Sequence, residues 1–218
     1  MNYKNNLWFP PANILYHGQK ELSDSKQLSA NDKKPIMEAM AVAVMLVGVN
    51  KGTGEEYKLQ LVDPSEQTPD IRTMRLIHKP GQPNELNIQD VELVTLGPNS
   101  SEEVDDFLLR TKLSPKKSYP PTTVILCQIN KTMKQTRSWR DVHNSLKASA
   151  SKNDVYVLAR INPIEQEYLI VKVHPKLESF LTYDVKTELF SRPKQRPLKL
   201  SRNSKDELVH TDEISLPF

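Results

Sequence analysis

Cysteine, glycine and histidine are all scarce in this 218-residue chain, with one, six and five copies respectively. A single cysteine, Cys127, excludes an internal disulfide and a cysteine-based zinc cluster. It sits in an apolar stretch with no obvious base beside it, which predicts a buried, inert thiol. His17, His78, His143, His174 and His210 are scattered without the spacing of a metal site. The glycines at KGTG lack the spacing and the Lys-Ser/Thr ending of a phosphate loop and read as a turn. No apolar run approaches the roughly 20 residues of a membrane span. MNYKNNLWFPP lacks the apolar stretch of a signal peptide, and KDEL at 205–208 is internal and so not a retrieval signal. There is no internal repeat. Together these features predict a cytoplasmic protein, or a nuclear one where the source has a nucleus, with no membrane partner.

Hydrophobic residues make up 37% of the chain, somewhat below a typical globular mix, but they are clustered enough to build a core. The net charge of +3 is too small to be diagnostic. Its distribution says more. Arg110, Lys112, Lys116, Lys117, Lys131, Lys134, Arg137 and Arg140 fall in one stretch, and Arg192, Lys194, Arg196, Lys199 and Arg202 in another. Such clusters can hold phosphates, or simply be solvated loop and tail charge.

Periodicity divides the chain. Residues 1–34 read as an N-terminal extension, with LWFPPANILY an irregular arm packed on the body. PIMEAMAVAVMLVG at 35–48 reads as a buried helix, with Pro35 at its first position, Asp32 in the cap region and Gly48 at its stop. Glu38 is its one internal charge and must reach solvent, a partner or a metal. Strands follow at EYKLQLVD, DIRTMRLI and IQDVELVTLG. A helix over SSEEVDDFLLRTKL, capped at Ser100 or Ser101, precedes a central strand, TTVILCQI. SWRDVHNSLKAS is an amphipathic helix carrying Trp139, Val142 and Leu146 inward. DVYVLARI and EYLIVKV are strands, and 183–190 adds a short element. Residues 35–190 form the α/β domain, a mixed central sheet flanked by helices, and 191–218 a polar tail.

This order resembles the PD-(D/E)XK nuclease superfamily over roughly residues 35–161. That family places a helix, often with a Glu, before a three-stranded meander. An Asp after a Pro opens the second strand, and an acid begins (D/E)-x-K on the third. Here Glu38 lies on the helix, Pro69-Asp70 opens the second strand, and Glu92 stands in Val91-Glu92-Leu93-Val94. Val94 occupies the lysine position, a departure from the pattern. Arg72, Arg110 or Lys112 could supply the missing base, and Gln128 is a further polar group that could line the site.

The resemblance implies a restriction-endonuclease-like core and a Mg²⁺- or Mn²⁺-dependent nuclease acting on DNA. The metal is held by Asp70, Glu92 and the Leu93 carbonyl, with Glu38 on a metal-bound water and Arg72 among the catalytic residues. Such chemistry wants carboxylates because a divalent cation polarises the phosphate and lowers the pKa of water, and Mg²⁺ needs only one or two of them. The second reading is a non-catalytic nucleic-acid- or protein-binding subunit of a larger complex, using 1–34 and 191–218 as contact arms.

Overall fold

A serine three residues ahead of an aspartate sets the start of the longest helix. In the computed structural model, Ser29 Oγ accepts from the Asp32 amide at 3.3 Å and the Asp32 carboxylate accepts from the Ser29 amide at 3.1 Å, closing a capping box. The structure describes residues 7–24, 28–62, 71–77, 85–114, 116–130, 137–149, 151–162, 166–185, 198–202 and 208–211. In chain order the elements are β1 (Leu7–Trp8), α1 (Pro11–Asp24), α2 (Ala30–Thr53), β2 (Tyr57–Leu61), β3 (Ile71–Ile77), β4 (Glu85–Leu96), α3 (Val104–Thr111), β5 (Val124–Ile129), α4 (Trp139–Lys147), β6 (Asp154–Asn162), β7 (Glu167–His174), β8 (Glu178–Asp184), β9 (Leu198–Arg202) and β10 (Leu208–Thr211). The chain is α/β, and it divides into two compact units, Met1–Ile88 with Thr187–Phe218, and Gln89–Lys186.

In the first unit, α2 is longer than its apolar core suggests. The sequence predicts a start at Pro35, but the Ser29 cap places it five residues earlier, and Pro35 lies inside the helix. Gly48 does not stop it. A helical glycine costs about 1 kcal/mol, and its neighbours Val47 and Val49 are both buried. The stop is Gly54, left-handed at φ 73°, whose amide bonds Asn50 O at 2.9 Å. By length and composition α2 could cross a bilayer, and 61% of its apolar window is buried inside the protein, where α1 packs against it. Residues 11–16 of the predicted irregular arm are helical, the first part of α1. Pro11 opens it, and Ile14 and Leu15 are buried.

β2 and β3 pair antiparallel, with Gln60 opposite Arg72 and Leu61 opposite Ile71. Strict alternation would expose Gln60, yet it is buried along with Leu59 and Leu61. Part of the predicted polar tail is also strand. β9 pairs antiparallel with both β1 and β10, and the short alternation Leu-Lys-Leu marks it in sequence.

The second unit has a mixed sheet in the order β4-β5-β6-β7-β8. β4, β5 and β6 are parallel, joined through α3 and α4, and β6, β7 and β8 are antiparallel. Both helices cover one face, where Val104, Phe107, Leu108, Val142 and Leu146 pack on Ile125, Cys127, Val155, Val157 and Val171. α4 starts with a second capping box, Ser138 with Asp141. α3 starts at Val104, later than the predicted Ser100 or Ser101 cap, because Ser100 Oγ is taken up locally by the Glu102 amide at 3.2 Å. The last strand, β8, ends at Asp184, ahead of most of the element predicted at 183–190; residues 186–190 lie outside the described residues.

Gly54 and Gly97 separate backbone conformation from space, since an added Cβ meets nothing within 4 Å at either, and only Gly54 has positive φ. Gly54→Ala is expected to lower unfolding free energy by about 1 kcal/mol in a urea titration, the cost of a left-handed L-residue. Gly97→Ala should stay within about 0.5 kcal/mol of the parent.

Candidate functional site: a buried acid and its lysine

Glu92 stands on β4 with an apolar residue on either side, and its register partner on β5 is Ile125, which lies in the core beneath α3 and α4. The carboxylate is therefore brought inside, 6% exposed. A lone charge there would cost several kcal/mol. It is matched by Lys112, the C-cap residue of α3, whose Nζ donates to Glu92 Oε2 at 2.9 Å. A cation at a helix C-terminus is also favoured by the helix dipole. The same ammonium lies 5.9 Å from the centroid of the Tyr119 ring. The sequence names Lys112 as one of three possible substitutes for the base missing at Val94, and this is the one found on the acid. Val94 itself is half-buried against the same core as Phe107.

Leu93 is buried in β4 opposite Leu126. Glu38 is half-buried in the first unit, 3.7 Å from Lys34 one turn earlier, so part of its charge is met by an ordinary i,i+4 pair. Arg72 is half-buried on β3 and engaged by other protein groups. Asp70 lies outside the described residues, as do His78, Lys131, Lys134, Arg192, Lys194 and Arg196. Among the described residues no cluster of three His, Cys, Asp or Glu side chains is placed to hold a metal. Glu92 is still a suitable ligand on its own chemistry. Lys112 Nζ bonds Oε2, and a hard cation needs only one or two carboxylates with water.

Two arginines of the basic stretch, which could hold phosphate or be solvated charge, are committed to carboxylates. Arg110 makes a two-pronged contact with Glu102 at 2.9 and 2.7 Å, which pushes its pKa up, and also lies over Phe107. Arg137 bridges the fully buried Asp105 and the exposed Asp106, the latter at 3.1 Å. Gln128 is half-buried, opposite Thr95 and Leu158. His143 and His174 contact the main-chain oxygens of Val173 and Ser151 at 2.9 and 3.0 Å, as structural histidines do. Burial pushes the Cys127 thiol up to about 12, in keeping with an inert side chain. Trp139 packs half-buried against the core.

What sequence reasoning missed is the surface around Lys112. A cleft of about 810 Å³ opens there, with Lys112, Lys117, Tyr119, Ser149 and Lys152 in its walls. The stretch KSYPP carries Lys117 and Tyr119, and it reads in sequence only as a break. No family model matches the chain, and no curated protein or solved structure does.

The pair makes a stability prediction. Glu92 and Lys112 side chains are 8% and 16% exposed, so Lys112→Ala strands a buried charge and should cost about 3 kcal/mol. Replacing both, Glu92→Leu with Lys112→Met, should recover most of that loss. Urea unfolding of the two single variants and the double checks it; additive losses would contradict the coupling.

Proposed function

We propose that the chain is a divergent nuclease-like protein of the PD-(D/E)XK type, hydrolysing phosphodiester bonds in DNA with Mg²⁺ or Mn²⁺. The observation that carries this reading is the 2.9 Å pair of Glu92 and Lys112. The family's pattern needs an acid on the third strand and a lysine beside it. Here the lysine comes from the end of the following helix and reaches the same carboxylate. Asp70, Glu92 and the Leu93 carbonyl would hold the cation, with Glu38 toward a bound water. The metal's contribution when bound is to polarise the phosphate and supply hydroxide near neutral pH. The chain's own contributions are to hold the Glu92 carboxylate oriented inside the protein, and to keep an ammonium where negative charge grows on the phosphate.

A second reading has an observation of its own. Lys112 already neutralises Glu92, which weakens the attraction of that carboxylate for a cation. On that basis the protein binds DNA, or a protein partner within a larger complex, without cutting.

Incubation of plasmid and single-stranded DNA with the protein in Mg²⁺ or Mn²⁺ separates the two. Cleavage is expected, abolished by Asp70→Ala and Glu92→Gln and lowered by about a hundredfold in Lys112→Gln. Tight binding without cleavage under all these conditions would replace the first reading by the second. Circular dichroism melts check that the variants remain folded.

A further inference from the structure

The cleft beside Lys112 is built by two loops, the one that follows α3 into β5 and the one that follows α4 into β6. Both loops are pinned by hydrogen bonds. The Asn153 side chain donates to Pro120 O at 2.7 Å and Thr123 O at 2.9 Å, tying one loop to the other. Ser151 Oγ donates to Asn153 Oδ1 at 3.1 Å, and the Lys117 amide donates to Ser114 O at 2.8 Å. The walls are therefore held in place before any ligand arrives.

Their chemistry is mixed. Leu109, Leu113, Pro121 and the Tyr119 ring give apolar and aromatic surface. Ser149 Oγ is buried in the wall and among the described residues has no hydrogen-bond partner. Lys117 and Lys152 are exposed, and among the described residues neither makes an ion pair. The charge balance is narrow. Lys112 is cancelled by Glu92. The C-termini of α3 and α4 open toward these loops and contribute about −0.5 charge each. Against these, the two free lysines leave the cleft positive by about one charge, so its preference for anions rests on Lys117 and Lys152.

We propose that this cleft takes one nucleotide of a single-stranded nucleic acid, its base on Tyr119 and its phosphate on Lys117 and Lys152. The volume is ample for one nucleotide and too small for a duplex, whose bases would in any case be paired away from the ring. An aromatic platform beside a positive groove is how single strands are held without regard to sequence. The proposal rests on the nucleic-acid reading above and deepens it. Lys112 is shared by the cleft and the Glu92 pair, so the two are linked through one side chain.

The test is binding of a labelled single-stranded 12-mer to the full chain in EDTA, so that no cleavage intervenes. Lys117→Ala with Lys152→Ala should weaken binding at least tenfold and lower the slope of log affinity against log salt by about 0.7, the loss of one phosphate contact on a single strand. Tyr119→Ala should weaken binding by about tenfold, and Tyr119→Phe should not. Lys147→Ala removes an exposed charge outside the cleft and should change little. An unchanged affinity and salt slope in the double lysine variant would overturn the proposal, as would equal affinity for a blunt duplex. Competition by AMP as effective as that by the 12-mer would assign the cleft to free nucleotides and overturn the strand. Cleavage by the parent protein in Mg²⁺ together with lysine-independent binding overturns the cleft and leaves the nuclease reading standing. Cleft-dependent binding without cleavage does the reverse.

Discussion

A carboxylate buried inside a sheet-and-helix core must be answered by a cation, and in the second unit this constraint ties strand to helix. Glu92 belongs to β4, and Lys112 closes the helix that leaves it. Their contact joins the end of α3 to the sheet, and Tyr119 of the following loop lies under the same ammonium. A well-packed apolar pair could serve the fold as well or better. Stability alone is therefore a weak reason for a charged pair at this position, which gives weight to a role in chemistry.

The surrounding structure keeps that pair in one arrangement. Parallel β4, β5 and β6 are bought at the cost of two crossovers, and both crossover helices lie on the face that carries Glu92's register partner. Their C-termini therefore gather at one end of the sheet, and the loops that leave them form the cleft. Arg137 on Asp105 and Asp106, and Arg110 on Glu102, hold the α3 region in place with bonds that consume two of the strongest phosphate-binding groups. Among the described residues that line the cleft, Lys117 and Lys152 carry the remaining positive charge, which suits recognition of one phosphate.

Much of the fold was legible in the sequence where local signals agree with burial. Ser138 and Asp141 mark the start of α4, and Val142 and Leu146 are buried as their spacing predicts. Apolar continuity in 124–129 marks the central strand. Legibility failed where tertiary packing overrides a local rule. Gly48 does not stop α2 because its neighbours are buried, and Pro35 does not start it because Ser29 and Asp32 cap it earlier. Residues 11–24 gain their helix by packing on α2, which proline-flanked composition does not reveal. Of the candidate site, the sequence singled out Glu92 as an acid in an apolar strand and included Lys112 among the possible substitutes for the motif lysine. It could not choose Lys112 over Arg72 or Arg110, because that choice depends on where α3 ends. Tyr119 and Lys152 carry no periodic or motif signal and become neighbours only through the two loops.

The central claim is that the Glu92 carboxylate serves a metal ion as well as the fold. Calorimetric titration of Mn²⁺ into the folded protein tests it most directly. The account predicts a binding site that disappears in Glu92→Gln and persists in Lys112→Gln. Mn²⁺ binding that is absent from the parent protein, or undiminished in Glu92→Gln, would contradict it.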